Sequence, residues 1–247
     1  MTIDLKQIAD SLNDFTFQCE ILSTKEKIMG RPYTIKDEFK LAQIQTQESN
    51  NAIVKVILDI VKEKYYTLTA KQIESLTMVD LQWLMINLKI NSKENNIETV
   101  INCKCGESFD YTLPLSEIKL KDGGVFEKAI TITEKRLKKP LTLLLRMPTI
   151  SMITNNYDTE NTKSKENDKI IFDVIKSISY GDETSDASDF SKDELIDFVN
   201  DIPKKYLDDI NDFLGNPPEL VYSKNVVCGK CKEKTIITVD DFFMLLF

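Results

Sequence analysis

Two pairs of closely spaced cysteines limit the folds open to this 247-residue chain more than any other feature. Cys103 and Cys105 form a C-x-C pair, and Cys228 and Cys231 form a C-x-x-C pair about 125 residues further on. Each pair lies between two segments with a strand-like alternation of apolar and polar residues, which predicts two β-hairpins with thiols at their turns. If all four thiols serve one site, the two hairpins must meet in the folded protein.

The chemistry of four thiolates favours a soft metal. Sulfur ligands suit zinc or an iron–sulfur cluster, and a hairpin turn can aim two sulfurs at one point. The predicted metal ligands are Cys103, Cys105, Cys228 and Cys231. C-x-x-C is the usual spacing for such a turn and C-x-C is tighter, so three interpretations stay open: a structural zinc ion, unliganded thiols, and a cluster or redox role. A metal with four protein ligands has no open position and would be structural, not catalytic.

The fifth cysteine, Cys19, lies on the apolar face of a predicted strand with Phe17 and Ile21, where it is expected to be a small buried side chain. An odd number of cysteines, and a start without the basic and apolar regions of a signal peptide, argue against a disulfide framework. The sequence has no run of about 18 apolar residues that would predict a membrane span. We therefore expect a soluble protein of a reducing cytoplasm.

The composition excludes most classes of enzyme and of nucleic-acid-binding protein. The sequence contains no histidine, which rules out catalysis by an imidazole base and any zinc site with a histidine ligand. It also has no phosphate-binding glycine loop and none of the common hydrolase motifs. The net charge of −8 provides no counterion-release contribution to binding nucleic acid. No catalytic residue, small-molecule substrate or nucleic-acid partner is predicted.

The periodicity of the apolar residues predicts an α+β fold. Helical spacing dominates the first part of the chain, with Thr34 and Thr77 as candidate N-caps and Trp83 as a core residue. The predicted segments of one compact unit are a mostly helical region (1–95), a β module with the C-x-C hairpin (96–148), an acidic helical region (149–220), and a C-terminal β knuckle with an apolar tail (221–247). If the cysteine hairpins join, the β module and the C-terminal strands are expected to form one sheet.

The acidic region is predicted to contain helices at Asp168–Tyr180, Lys192–Asn200 and Pro203–Leu214. Residues 151–220 hold 17 acidic and 7 basic residues, a net charge of −10, whereas the rest of the chain sums to +2. Such polarised charge is typical of a solvated face, or of a surface that docks a basic partner. The residues predicted for that surface are Asp193, Glu194, Asp197, Asp208, Asp209 and Asp212.

Several short segments occur in an order that resembles a known family. They are, in order, Ile21–Lys25, Arg31–Glu38, Leu76–Leu84 with its Leu-Thr-x-x-Asp sequence, Leu88–Ser92, Pro217–Leu220, the knuckle Cys228–Cys231, and Asp241–Phe243. In this order they resemble the baseplate proteins of T-even-type contractile-tailed phages, the group of baseplate hub subunits and hub assembly proteins. The C-x-C pair is one residue shorter than the knuckle usual in that family.

This resemblance implies a non-enzymatic protein of phage tail morphogenesis, either a baseplate hub component or a hub assembly factor. It implies action by contact with other baseplate, hub or tail proteins. It also implies a location in the host cell cytoplasm during assembly and, for a protein that stays in the particle, in the virion baseplate. The alternative is a zinc-ribbon adaptor, or a redox-active dithiol protein, of unrelated origin.

Overall fold

The residues described by the computed structural model are Asp4, Ser11, 14–44, 50–92, 95–157 and 171–239. Their helices and antiparallel sheets confirm the α+β class. Contacts divide the chain into two compact units, of which the first comprises Met1–Lys121 and Glu219–Phe247 and the second is Asp122–Pro218. The predicted segment 96–148 is therefore divided between the two units.

The helices with both ends in the described residues are α1 (Ile35–Ile44), α2 (Asn50–Lys64), α3 (Ala70–Ser75), α4 (Met78–Asn91), α5 (Ile150–Tyr157), α6 (Lys192–Asn200) and α7 (Leu207–Gly215), and residues 171–173 are helical as well. The strands are β1 (Phe17–Glu20), β2 (Lys27–Gly30), β3 (Asn96–Asn102), β4 (Ser108–Pro114), β5 (Lys119–Leu120), β6 (Glu127–Ile132), β7 (Leu141–Arg146), β8 (Ile175–Tyr180), β9 (Glu183–Asp186), β10 (Leu220–Val227) and β11 (Lys234–Val239). Short 3₁₀ turns are formed by Leu115–Glu117, Ala187–Asp189 and Lys204–Tyr206.

All strand pairs among the described residues are antiparallel. In the first unit, β1 pairs with β2, β3 pairs with β4, and β10 lies between β5 and β11. The second unit contains one sheet in the order β6-β7-β8-β9, in which each strand pairs with the next along the chain. The expectation that the β module and the C-terminal strands form one sheet holds only for β5, which pairs with β10; the hairpin β3–β4 is a separate sheet, and β6 and β7 belong to the sheet of the second unit.

A buried carboxylate fixes the start of α4. Asp80 is fully buried, and its Oδ2 atom accepts hydrogen bonds from the amide (2.9 Å) and the hydroxyl (2.7 Å) of Thr77. The amide (2.9 Å) and hydroxyl (2.6 Å) of Ser23 donate to the same carboxylate. The amide of Asp80 donates back to the Thr77 hydroxyl, which completes a capping box and confirms Thr77 as the N-cap. One side chain thus joins the turn after β1 to a helix that begins more than fifty residues later.

The start of α1 contains a buried ion pair. The amide (2.7 Å) and hydroxyl (2.6 Å) of Thr34 donate to Oδ2 of Asp37, as expected of the predicted N-cap. Asp37 is fully buried, and the ammonium of Lys64, at the end of α2, lies 2.5 Å from the same oxygen. Burial raises the pKa of Asp37, but Lys64 and the Thr34 hydrogen bonds outweigh it, so this pKa lies below its ordinary value. Charge therefore joins α1 to α2 in addition to packing.

In the first unit, Cys19 is buried as predicted, whereas Trp83, predicted as a core residue, is only half-buried. Cys19 is buried in β1, which confirms its structural role, and burial raises the pKa of its thiol to about 11. Trp83 is half-buried on α4, and its indole nitrogen donates a hydrogen bond of 3.1 Å to the Glu20 carbonyl. Neither side chain contributes to the cysteine cluster described below.

The second unit is inserted between two neighbouring strands of the first. β5 and β10 are antiparallel partners, with Leu120 opposite Leu220. The amide of Lys121 donates to the Glu219 carbonyl at 2.8 Å, and the side chains of the same two residues form an ion pair, also at 2.8 Å. The chain therefore leaves the first unit and returns to it at adjacent positions.

The core of the second unit lies between its sheet and α7. Buried residues of β6, β7 and the α7 region form one cluster, whose members include Ile130, Ile132, Leu143, Leu145, Tyr206, Ile210 and Phe213. In β6 the exposed and buried residues alternate, as a strand with one solvated face requires. In α7, Ile210 and Phe213 are three residues apart and so lie on one side of the helix.

The helix predicted over Asp168–Tyr180 is wrong in its second half, because Ile175–Tyr180 forms strand β8 in the middle of the sheet. The strand ends at Gly181, which has a positive φ of 64°, and β9 begins at Glu183. Gly-Asp between two strands is a signal for a two-residue hairpin turn. Pairing with β7 and this turn outweigh the helical spacing of the apolar residues. The predicted acidic helical region 149–220 therefore contains two strands as well as its helices.

Two further expectations concern the last two predicted helices and the apolar tail. The predicted helices Lys192–Asn200 and Pro203–Leu214 correspond to α6 and to a 3₁₀ turn followed by α7. The apolar tail Phe242–Phe247 lies outside the described residues. Among the helices that the structure describes, none has the length and apolar character needed to cross a membrane.

The buried ion pair between Asp37 and Lys64 yields a test. Asp37→Asn is expected to lower the free energy of unfolding by about 3–5 kcal/mol at neutral pH, because it leaves a buried ammonium without its counter-charge. The measurement is urea unfolding followed by the fluorescence of Trp83, the single tryptophan of the sequence. The folded-state pKa of Asp37 is lowered, so its contribution is present above the unfolded-state value of about 3.9 and is lost as pH falls through the folded-state value.

The matched control for this substitution is Asp59→Asn. Asp59 lies 3.9 Å from Lys62 on the exposed side of α2, and exposed pairs contribute at most about 1 kcal/mol. A loss of stability for Asp37→Asn no larger than that for Asp59→Asn would contradict the role given to the buried pair.

Candidate metal centre

The two cysteine turns have closely related backbone geometry. In the turn between β3 and β4, the Cys103 amide donates to the Glu107 carbonyl (2.7 Å), and the Gly106 amide donates to the Cys103 carbonyl (2.9 Å). In the turn between β10 and β11, the Cys228 amide donates to the Glu233 carbonyl and the Lys232 amide donates to the Cys228 carbonyl, both at 3.0 Å. In each turn the residue directly after the second cysteine has a positive φ, 84° for Gly106 and 60° for Lys232.

The turns bring all four predicted ligands together. The sulfur atoms of the four cysteines lie within 4.8 Å of one another. The distance between the sulfurs is 3.7 Å for Cys103 and Cys231, and 3.8 Å for Cys105 and Cys228. These values are far longer than the S–S bond of a disulfide, about 2.05 Å. They match a tetrahedral zinc site, in which Zn–S bonds of about 2.3 Å place the sulfurs about 3.8 Å apart.

The four thiols differ in their exposure to solvent, and hydrogen bonding shifts the pKa of two of them in opposite directions. Cys103 and Cys228 are buried, whereas Cys105 and Cys231 are exposed. The amides of Cys231 and Lys230 donate to the Cys228 sulfur and lower the pKa of this thiol to about 7. The Glu233 amide lowers the pKa of Cys231, but desolvation and hydrogen bonds with the neighbouring thiols raise it to about 12. The cluster thus favours one thiolate and opposes further ionisation, as expected when like charges share a small volume.

Contacts between the two hairpins extend well beyond the cysteines. The hydroxyls of Tyr111 on β4 and Tyr222 on β10 are 2.5 Å apart, and their rings lie 6.4 Å apart between centroids. Tyr222 is almost completely buried, and this burial raises the pKa of its hydroxyl. An ion pair of Lys230 with Glu107 (2.9 Å) joins the two turns, and Lys224 of β10 pairs with Glu117, in the 3₁₀ turn that follows β4 (2.7 Å).

The tyrosine contact was not predicted, although the sequence contains a signal for it. Tyr111 follows Cys105 by six residues, and Tyr222 precedes Cys228 by six residues. β4 leads away from its cysteine turn, whereas β10 leads towards its own. When the two turns meet, residues at equal distances from them therefore lie opposite each other. That inference requires the knuckles to meet, which the sequence alone left open.

The acidic residues predicted to form a docking surface lie elsewhere, on α6 and α7 of the second unit. All six are exposed: Asp193, Glu194, Asp197, Asp208, Asp209 and Asp212. Glu194 also has a local role, because its carboxylate accepts hydrogen bonds from the Ser191 amide (2.8 Å) and hydroxyl (2.7 Å) in a capping box. The remaining carboxylates lie on the solvated sides of their helices.

Comparison with protein-family models identifies the chain. The model described as T4 bacteriophage base plate protein matches residues 13–244, nearly the whole sequence. The chain belongs to this family. Membership excludes the alternative of an unrelated origin. Comparisons with curated proteins and with solved structures found no match.

In this base plate protein, four of the segments that resembled the family contact one another in pairs. Ser23 bonds to Asp80, as described above, and the Tyr33 amide donates to the Ser92 hydroxyl at 2.7 Å. The Arg31 amide donates to the carbonyl of Lys64 at 3.1 Å, and its guanidinium lies over the Tyr66 ring. These four segments therefore contribute to the packing of the first unit.

The positive φ of Gly106 leads to a prediction for the knuckle. Gly106→Ala is expected to lower the free energy of unfolding by about 1–2 kcal/mol, because a Cβ atom is unfavourable in the left-handed region. No atom lies within 4 Å of the position that this Cβ would occupy, so the cost comes from the backbone alone. Urea unfolding followed by Trp83 fluorescence measures it.

The other knuckle supplies the control. A Cβ atom on Gly229 also meets no atom within 4 Å, but the φ of this residue is not positive, so Gly229→Ala should leave stability nearly unchanged. Equal losses for the two alanine variants would contradict the explanation.

Proposed function

We propose that this base plate protein acts without catalysis, as a component of the baseplate hub or as a factor in hub assembly, by binding other phage tail proteins. The main support is the family match over residues 13–244. The composition agrees with such a role, because a chain without histidine has no imidazole base for hydrolytic or transfer chemistry. Its site of action is the cytoplasm of the infected cell during assembly, and then the virion baseplate if it stays in the particle.

The second part of the proposal is that Cys103, Cys105, Cys228 and Cys231 hold a structural zinc ion. Its support is the donor set: four sulfurs in one cluster, with two S–S distances close to the edge of a tetrahedral site. When bound, the ion would supply charge neutralisation of the thiolates and a cross-link between the two hairpins. Such a cross-link stabilises the fold, because binding free energy at a structural site is folding free energy.

The third part concerns contact with a partner. The exposed carboxylates of α6 and α7 form an acidic surface for a basic region of another tail protein. The support for this docking surface is the concentration of negative charge in residues 151–220, which hold a net charge of −10 in a chain of net charge −8. Complementary charge accelerates association and makes it sensitive to salt, since exposed charges are screened beyond about 8 Å at physiological ionic strength.

The zinc proposal predicts about one zinc ion per chain in protein purified without chelators. Elemental analysis measures it, and a chelator should lower the melting temperature. Cys228→Ser should lose the ion because Cys228 is a ligand, whereas the control Cys19→Ala should retain it because Cys19 is buried in β1. Protein without stoichiometric zinc, or zinc retained by Cys228→Ser, would overturn the assignment. Iron in place of zinc would support the iron–sulfur alternative.

The proposed assembly function predicts the phenotype of a phage that lacks this gene. Such a phage should accumulate incomplete tails, and a plasmid copy of the gene should restore complete ones. Electron microscopy of infected-cell extracts measures the outcome. Comparison of the protein content of mature particles with that of the extract separates a hub component from an assembly factor. Infectious, contractile tails in the absence of the gene would refute the proposal.

A further inference from the structure

The second unit contains an open groove between the loop that joins β6 to β7 and the segment that joins α6 to α7. Its volume is about 780 Å³. The apolar residues that line it are Ile132, Leu137, Leu141, Phe198, Ile202 and Pro203. Several of them also pack against the core of the unit, so the groove has an apolar floor continuous with that core.

The two walls of the groove are held in place by hydrogen bonds. The Tyr206 hydroxyl accepts from the Thr133 amide (3.0 Å) and lies within 3.2 Å of the Glu134 carboxylate. Lys205 forms an ion pair with Glu134 at 2.6 Å, and this ammonium holds the pKa of Glu134 below its ordinary value. These contacts attach the β6–β7 loop to the segment before α7. The groove is therefore a preformed feature of the unit.

The residues that line the groove carry a small excess of positive charge, three basic against two acidic, although the protein as a whole is acidic. The loop 134–140 contains four basic residues and one acidic residue, in a chain of net charge −8. Lys135 and Arg136 line the groove and are exposed. Neither has an ion-pair partner among the described residues, whereas Lys205 pairs with Glu134. Asp201 also lines the groove and is exposed, so with Glu134 and Lys205 paired to each other the remaining charges of the lining are two positive and one negative.

We propose that this groove binds an acidic, apolar segment of another phage tail protein, with carboxylates at the rim and large apolar side chains on the floor. The inference rests on the proposed function for the existence of such a partner and adds the chemistry of the contact. Arg136 offers a planar guanidinium that matches a carboxylate in two parallel hydrogen bonds. The apolar floor releases water when an apolar side chain covers it. Charge at the rim selects the partner and orients it.

The test uses the full-length protein and a fluorescein-labelled peptide of alternating aspartate and leucine, with binding measured by anisotropy at low ionic strength. The peptide should bind, and Arg136→Glu should weaken binding by at least about tenfold. The matched control is Lys119→Glu, which makes the same kind of charge reversal on exposed strand β5 of the first unit and should leave binding unchanged. Equal melting temperatures of the variants would show that both are folded.

Two further peptides separate the parts of the proposal. A peptide of alternating aspartate and serine should bind more weakly, because it leaves the apolar floor uncovered, and a peptide of alternating lysine and leucine should bind more weakly because of its charge. Equal binding of either peptide, or an unchanged affinity for Arg136→Glu, would overturn the inference. So would concentration-dependent dimerisation that Arg136→Glu abolishes, since the occupant would then be a second copy.

Failure of this inference can be distinguished from failure of the proposed function. A gene-deleted phage complemented by the Arg136→Glu gene is compared with one complemented by the Lys119→Glu gene. Complete tails from both, when the deletion itself prevents assembly, would overturn the groove inference and leave the assembly function intact. Complete tails without any copy of the gene would refute the assembly function itself.

Discussion

The first unit depends on a contact between two stretches of chain that are far apart in sequence. β3, β4 and β5 meet β10 and β11 across the whole inserted unit, and closing a loop of about a hundred residues costs roughly 4–5 kcal/mol of chain entropy. The interactions across this closure are sheet pairing between β5 and β10, the tyrosine pair, two ion pairs and the cysteine cluster. Several interactions together offset this cost, and they extend from the cysteine turns to the 3₁₀ turn after β4.

Buried carboxylates have a comparable role in the helical part of the unit. Asp37 and Asp80 both occupy the third position of a helix, where a carboxylate can cap the first turn. Each also bonds to a distant segment, Asp37 to Lys64 and Asp80 to Ser23. Each carboxylate therefore caps its own helix and also bonds to a distant segment, so that helix initiation and tertiary packing depend on the same atoms. The two differ in that Asp37 has a cation as partner, whereas the bonds of Asp80 come from neutral donors.

The sequence predicted those parts of the fold in which local signals and burial coincide. Thr77 with Asp80 marks the start of α4, and the strands on either side of Cys228 and Cys231 form β10 and β11. The meeting of the four cysteines was also predicted, because thiols at two similar turns point to one chemistry. Local periodicity failed at β8, where pairing with β7 decides the conformation. The groove at the β6–β7 loop could not be predicted either, since Arg136 and Phe198 are distant in sequence and only the sheet and helix packing bring them to one cavity.

The insertion of the second unit between adjacent residues has a consequence for how proteins of this kind can diversify. Lys121 and Glu219 are hydrogen-bonded neighbours, so the chain between them can change in length or sequence without altering the separation of its two attachment points. Natural variation can therefore alter the inserted unit while the first unit keeps the geometry of its two attachment points. In evolutionary terms, one framework can persist while the unit inserted in it changes, because the inserted unit and the framework are subject to separate constraints.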